Sequence, residues 1–326
     1  MINSAIVGVG RWGRLLVNSV ANSKKFKFTH AVTRTPANAE AFCVNHAISL
    51  TDDFDSVLAN PSIDAVVLAT PHTQHFDQII KTAQAGKHVY CEKPYTLSRV
   101  EAAEALFAVA AAGVKTAVGH NRRFAPNYKK MRTMIEDGSL GEVIQIEGNF
   151  SANLALEGGA WRSNKEESPA GGMTSLGIHL VDAFINMYGR IAEVRAFSKR
   201  LASSYDIDDA TRILFEFENG RTGYLGTVTG TSTLTYVRAF GTNGWAAVNN
   251  QDELTHLPLG GTMKHQTWDG YAYPSPKSIG DGLEAFATDI NDGPEFPISP
   301  DQILHGIAVL EAIFRSIETG HSEQVE

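Results

Sequence analysis

The stretch Ala5-Ile-Val-Gly-Val-Gly-Arg-Trp-Gly13 runs a short apolar strand straight into a glycine-rich turn. Gly8, Gly10 and Gly13 have G-x-G-x-x-G spacing, and the helix-like Arg14-Leu-Leu-Val-Asn-Ser-Val-Ala21 follows at once. In a dinucleotide site the first glycine makes the tight turn and the second lets the backbone approach a pyrophosphate. The third lets helix and strand pack closely. The phosphates then rest on the positive end of the helix that begins there. Three glycines at this spacing also occur in plain tight turns. The strand before and the helix after separate a nucleotide site from such a turn, and they put Arg11 and Trp12 beside the cofactor too.

Strands and helices alternate outward from this point. Phe26–Val32 reads as a second strand, with Pro36–Val44 helical after it. Ile63-Asp-Ala-Val-Val-Leu-Ala69 is almost wholly apolar, as for a parallel strand buried on both faces. A helix over about Thr73–Ala85 stops at Gly86, and His88-Val-Tyr-Cys91 is the next strand. Ser98 and Glu101 form a capping box that opens a helix closing at Gly113, and Lys115–Gly119 is the last strand of the series. This alternation predicts an α/β chain whose N-terminal part is a Rossmann-type doubly wound parallel sheet. Its ligands would sit at the carboxyl ends of the strands.

The texture changes after residue 121. A helix at about Ala125–Glu136 leads into Glu142–Phe150, which alternates like a strand with one wet face. Similar runs recur at Glu193–Lys199, Thr211–Glu218, Thr222–Val228 and Thr233–Phe240, and Asn219-Gly220 between two of them is a hairpin signal. Helices at about Gly282–Asn291 and Pro300–Thr319 close the chain. The expected division is a dinucleotide-binding domain over residues 1–121 and a C-terminal α+β domain over residues 122–326. The second domain would be built on a large, mostly antiparallel open sheet and would bind substrate.

Composition limits the partners. With 326 residues, 43% of them hydrophobic, the chain can fill two cores. No run approaches the ~18 consecutive apolar residues of a membrane helix. A net charge of −8 with no basic stripe argues against nucleic acid. Two cysteines, Cys43 and Cys91, make no disulfide framework, and neither a charged leader nor a secretory apolar segment precedes the first strand. A cytoplasmic protein is the expectation.

Cofactor choice turns on the end of the second strand. An NAD site carries Asp or Glu about 20 residues past the glycine turn, bonded to the ribose 2′-hydroxyl. Thr33-Arg34-Thr35 stands there instead. A hydroxyl and a guanidinium suit a 2′-phosphate, with Arg11 adding positive charge, so NADP(H) is expected ahead of NAD(H). The alternative for Arg34 is a plain solvated loop residue. Directly after the strand His88–Cys91 comes Glu92-Lys93-Pro94. At a carboxyl strand edge Lys93 could protonate or polarise a carbonyl oxygen beside the nicotinamide, Glu92 could accept from ribose hydroxyls, and Pro94 would stiffen the turn, with a cis bond as one way to do it. Away from the glycine turn, the same tripeptide would read as solvated surface.

Gly8–Gly13, Ala69-Thr-Pro-His-Thr-Gln-His75, Glu92-Lys-Pro94, Gly119-His-Asn-Arg-Arg-Phe-Ala-Pro126 and Gly171-Gly-Met-Thr-Ser-Leu-Gly-Ile-His179 occur in this order. The ordered set resembles the glucose–fructose oxidoreductase / inositol dehydrogenase (Gfo/Idh/MocA) family over the chain up to about residue 240. The resemblance implies nicotinamide-dependent oxidoreduction of a sugar, cyclitol or related polyol. It also implies a homodimer or homotetramer formed through the C-terminal sheet. Lys93 matches the family's catalytic lysine and His179 its catalytic histidine.

One departure stands out. The family's usual pattern has Asp four residues before the histidine, where this chain has Ser175. On an α-helix Ser175, His179 and Asp182 fall at i, i+4 and i+7, a polar stripe among Leu176, Ile178, Leu180 and Val181 that needs partners. A substrate cleft is one such partner. A capping role for Ser175 and a hydrogen-bonded core role for His179 are the alternatives. Thr70, Pro71 and His72 are expected to line the cofactor, with His75 structural at a helix start. His72 and His75 have metal-ligand spacing but no further ligand cluster, so no metal is expected. Arg123, Trp161 and Arg162 are candidate substrate contacts, with ion pairing for one of Arg122 and Arg123 and simple packing for Trp161 as alternatives. A non-catalytic NADP-binding sensor of the same fold is the competing function, favoured by Ser175 and disfavoured by Lys93 with His179.

Overall fold

A computed structural model describes residues 1–154, 161–272 and 275–326. The first half runs β1 (Ile2–Val7), α1 (Arg11–Ser19), β2 (Phe26–Val32), α2 (Glu40–Asn45), β3 (Ser49–Thr51), α3 (Phe54–Leu58), β4 (Ala65–Leu68), α4 (His75–Gln84), β5 (His88–Cys91), α5 (Arg99–Ala111) and β6 (Thr116–Val118). After it come α6 (Pro126–Glu136), β7 (Val143–Ser151), α7 (Ile178–Tyr188), β8 (Ile191–Lys199), β9 (Ala210–Phe217), β10 (Thr222–Val228), β11 (Leu234–Gly241), β12 (Gly244–Asn249), β13 (Glu253–Pro258) and β14 (Lys264–Thr267). Helices α8 (Pro276–Ile290) and α9 (Pro300–Thr319) and the short β15 (Glu323–Gln324) end the chain.

The described chain forms two units, Met1–Asn121 with Pro276–Leu304, and Arg122–Ser275 with His305–Glu326. The sequence suggested one boundary after residue 121. Instead Pro276–Leu304 returns to the first unit, for a packing reason. A Cβ on Gly280 would lie 2.5 Å from the Ser19 carbonyl oxygen, so α8 presses against the end of α1. Phe286 and Phe296 meet the buried Tyr90 ring at centroid distances of 5.8 and 6.5 Å. A late apolar helix thus covers sheet surface that the first 121 residues leave open.

In the first unit six strands pair in the order β3-β2-β1-β4-β5-β6, all parallel. All four residues of β4 are buried, as its unbroken apolar run requires. The order reverses between β1 and β4, which makes the carboxyl ends of these two strands the ligand crevice. Ser98 caps α5 by accepting from the Glu101 N–H. Strand β3 and helix α3 have no counterpart in the sequence reading. Three residues cannot show a period, and β3 exists only because Ser49–Thr51 pairs with His30–Val32.

The second unit carries nine strands in the order β14-β13-β12-β11-β7-β10-β9-β8-β15. Every neighbouring pair is antiparallel except β7 with β10. One face packs on α7: Phe184 meets Phe215 edge-on at 5.8 Å and Tyr188 meets Phe217 at 4.8 Å. On the other face Ile144, Phe197 and Leu214 stand exposed. Among the described residues no helix is long and apolar enough to cross a membrane.

Candidate active site

The β1–α1 turn shows why its glycines are glycines. Gly8 has φ +96°, and a Cβ there would sit 2.5 Å from the Ala69 carbonyl oxygen at the end of β4. A Cβ on Gly13 would strike the Gly8 carbonyl. Gly10 differs, since nothing lies within 4 Å of its Cβ position, so that side of the turn is open to a ligand. No side chain caps α1 at Gly10, leaving its first N–H groups available to an anion. This open, uncapped turn at the switch point fits the pyrophosphate of a nicotinamide dinucleotide. Arg11 is exposed there. Trp12 is half-buried, with its indole Nε1 closed off inside protein.

Arg14, which sequence reading passed over as part of a helix, latches the turn. Its Nη2 donates to Asn38 O at 2.6 Å, Nε to Val9 O at 3.3 Å, and its guanidinium lies 5.2 Å from the centre of the Phe42 ring. At the end of β2, Thr33 is half-buried and bonded through its N–H to Thr51 O, while Arg34 and Thr35 are exposed. No carboxylate stands among these three residues.

Past β4, the Thr70 hydroxyl donates to Gln78 Oε1 at 2.6 Å and His72 is buried. His75 opens α4 with no exposed surface, its Nδ1 2.8 Å from Pro94 O and its Nε2 3.2 Å from Thr70 O. Past β5 comes the loop with Glu92 and Lys93, and the Lys93–Pro94 bond is cis. Glu92 is buried and Lys93 half-buried, the Lys93 N–H donating to Glu92 Oε2 at 3.3 Å. Burial, and then the Glu92 charge, push the Cys91 thiol well above its usual range. It therefore stays a thiol and donates to Glu92 O and Tyr95 O.

Glu92 fills the space that Gly119 leaves. A Cβ on Gly119 would lie 2.5 Å from Glu92 Oε1 and 2.7 Å from its carboxyl carbon. Gly119→Ala should therefore displace the Glu92 carboxylate and disturb the Lys93 backbone bonded to it. We expect a loss of kcat/KM of about tenfold to a hundredfold, from a misplacement of under an ångström, with folding retained. Wild-type kinetics in Gly119→Ala would show that the carboxylate can move without consequence.

In the second unit, Arg122 is 1% exposed, stacked 4.2 Å from the Phe150 ring centre and bonded through Nη1 to Tyr128 Oη. Of the two roles open to Arg123, substrate contact or ion pair, the structure shows the ion pair. Its Nε and Nη2 form a fork to the Asp182 carboxylate at 2.9 and 2.7 Å, and Nη1 donates to Asn186 Oδ1 at 3.0 Å. It therefore fixes α7 rather than offering this fork to a substrate. The polar stripe is also altered. Met173–Gly177 is a π turn ahead of α7, so the i, i+4 spacing of an α-helix does not relate Ser175 to His179. Ser175, His179 and Asp182 are all buried, with the His179 ring 6.1 Å from that of Phe150. Asp182 is committed to Arg123. Trp161 and Arg162 are half-buried and stacked on each other, the guanidinium 4.0 Å from the indole centre.

A doubly wound parallel sheet with an open phosphate turn and a lysine loop at its carboxyl edge defines a dinucleotide-dependent enzyme of the Rossmann class. Residues 2–120 match the oxidoreductase family with an NAD-binding Rossmann fold, and residues 128–247 match the GFO/IDH/MocA C-terminal domain. The chain belongs to this family and is an NAD(P)-dependent dehydrogenase or reductase. The uncharacterized oxidoreductase YrbE of Bacillus subtilis (strain 168) is 31% identical over 268 residues, covering 78% of this chain and 75% of the relative. Inositol 2-dehydrogenase of Rhizobium meliloti (strain 1021) is 25% identical over 336 residues, 97% of each chain. Among solved structures, an oxidoreductase-family protein from Desulfitobacterium hafniense DCB-2 superposes with a TM-score of 0.90 at 26% identity, covering 99% of this chain and 97% of that one. These relatives lend no support to a non-catalytic sensor.

Proposed function

We propose that the protein transfers hydride between NADP(H) and a secondary alcohol or ketone of a sugar, cyclitol or related polyol, in the cytoplasm. The observation that carries this reading is the open Gly10 side of the turn after β1, with Lys93 past the end of β5 on the same carboxyl edge of the sheet. The bound nicotinamide supplies the hydride acceptor or donor. Lys93 is the group that gives a proton to the substrate oxygen in reduction and takes it in oxidation, and His179 is the second candidate for that proton-handling role. Gly8, Gly10, Arg11 and Gly13 seat the phosphates, Thr70, Pro71 and His72 line the cofactor, and Glu92 accepts from ribose hydroxyls. Trp161 and Arg162, stacked as a flat pair, suit the face and hydroxyls of a sugar ring. Ser175 contributes a neutral hydroxyl where a charged partner would otherwise orient His179. The name of the Rhizobium relative supports the cyclitol class, and the exposed apolar residues Ile144, Phe197 and Leu214 support a homodimer or homotetramer through the sheet. Buried free thiols at Cys43 and Cys91 are in keeping with a reducing compartment.

The test is nicotinamide absorbance with NADPH and with NADH across keto-sugars, inososes and their alcohols. Turnover on at least one of these, faster with NADPH, is the expected result. A cofactor-saturated enzyme that turns over none of them would overturn the substrate class. The cofactor preference has its own test in Arg34→Ala. Removing a charge-assisted bond to the 2′-phosphate should lower the NADPH-to-NADH ratio of kcat/KM by about tenfold to a hundredfold. An unchanged ratio would leave Arg34 as a solvated loop residue.

A further inference from the structure

Two loops flank the dinucleotide crevice, the turn after β4 that carries Thr70, Pro71 and His72, and the loop after β5 that carries Glu92 and Lys93. Backbone ladders end at Leu68 O, which accepts from the Glu92 N–H at 2.9 Å, and at Cys91 O, which accepts from the Gly119 N–H at 2.8 Å. Beyond that point a side chain joins the two loops. His75 is fully buried, and its two ring nitrogens face Pro94 O and Thr70 O. Carbonyls only accept, so any bond here uses an imidazole N–H. The shorter contact, at 2.8 Å, puts the donor on Nδ1 toward Pro94, the residue bonded directly to Lys93. Two other carbonyls of that loop, Glu92 O and Tyr95 O, accept from the Cys91 thiol, a weak donor at 3.2 and 3.7 Å. The imidazole therefore anchors the residue that follows Lys93.

We infer that His75 is a positioning residue: its Nδ1–H bond to Pro94 O sets where Lys93 stands relative to the turn after β4. This rests on the reading of Lys93 as the proton-handling group. The length of the side chain makes a discriminating pair of variants. An Asn amide reaches about where Nδ1 sits and can donate to Pro94 O, whereas a Gln amide extends toward the Nε2 position and Thr70 O. His75→Phe keeps a buried ring and removes both nitrogens.

On the full chain, we expect His75→Phe to lower kcat by about tenfold to a hundredfold, as for displacement of a catalytic group by about 1 Å. NADPH affinity, read by nicotinamide fluorescence, should stay near wild type because the phosphate turn is untouched. His75→Asn should recover most of kcat and His75→Gln should not. A purely structural histidine would lower the unfolding temperature in all three variants and leave kcat of the folded enzyme alike, and that pattern overturns the proposal. A second readout needs no turnover. The rate of reductive methylation with formaldehyde and cyanoborohydride, followed by mass spectrometry, should change at Lys93 in His75→Phe and return in His75→Asn, while the exposed Lys27 and Lys199 stay constant. If no substrate is found for the wild type, an unchanged Lys93 rate overturns the anchor by itself, and a changed rate supports it independently of the function.

Discussion

Lys93→Met should bind NADPH and lose turnover by about a thousandfold or more, within the range that positioned acid–base groups supply. Methionine keeps an unbranched stem of similar reach, so the half-buried site stays filled while the ammonium is gone. Cofactor binding should survive because the proposed phosphate site is the turn at Gly8–Gly13. That turn is held by the Gly8–Ala69 approach and by Arg14 on Asn38 O, neither of which touches Lys93. Lys93→Arg is the informative companion. It retains the charge but replaces a compact, three-donor ammonium with a planar fork that cannot give up a proton at working pH, so it should be nearly as inactive. Measurement is by stopped-flow or steady-state nicotinamide absorbance, with fluorescence titration for binding. Turnover within tenfold of wild type in Lys93→Met would remove Lys93 from the chemistry. Loss of NADPH binding along with turnover would instead make it a cofactor contact alone.

How much of this could be read from residues alone depended on the range of the physics involved. Strands β2 and β10 and helix α9 fall on the residues their periodicities mark, since burial of one face or two is written locally. The glycine turn was legible for the same reason, as three spaced residues plus flanking elements specify it. Strands β12, β13 and β14 were not legible. β14 is exposed at all four residues, and it is a strand only because β13 offers it an edge. The return of Pro276–Leu304 to the first unit hinges on Gly280 meeting Ser19, a contact across most of the chain that no window detects. In the site the division is similar. Lys93 was named from its strand edge and motif and His179 from motif order, but what holds their surroundings is contact between residues far apart in sequence, which no single motif shows. His75 reaches 19 residues to Pro94 O, Gly119 leaves room for Glu92, and Arg123 reaches 59 residues to Asp182. The π turn at Met173–Gly177 is a further case, because no residue in Met-Thr-Ser-Leu-Gly announces an i→i+5 ladder. Helical arithmetic put Ser175 in line with His179, and the wider turn breaks that alignment.

Breaking the pair that anchors α7 should have the largest effect on stability. The side chains of Arg123 and Asp182 are 3% and 7% exposed and joined by a two-point fork, and Arg123 Nη1 also donates to Asn186 Oδ1. Such a pair adds little net stability over apolar residues of the same shape, because both ions were taken out of water. Removing one partner is a different matter. Asp182→Ala takes the two-point carboxylate partner away from the buried Arg123 guanidinium, which costs about 3–5 kcal/mol. For a domain of this size that corresponds to a fall in unfolding temperature of about 6–20 °C. The double variant Arg123→Met/Asp182→Leu removes both charges and refills the space, so it should recover most of the loss. Calorimetry or circular dichroism melts of the wild type, the single variant and the double variant decide the matter. If the double variant melts as low as Asp182→Ala, the loss comes from packing around α7 rather than from an unpaired buried charge. Activity separates stability from chemistry in the same set. With Asp182 engaged by Arg123 rather than by His179, the double variant should keep kcat near wild type at temperatures where it is folded. A kcat that collapses in that folded double variant would return Asp182 to a direct role in orienting the histidine.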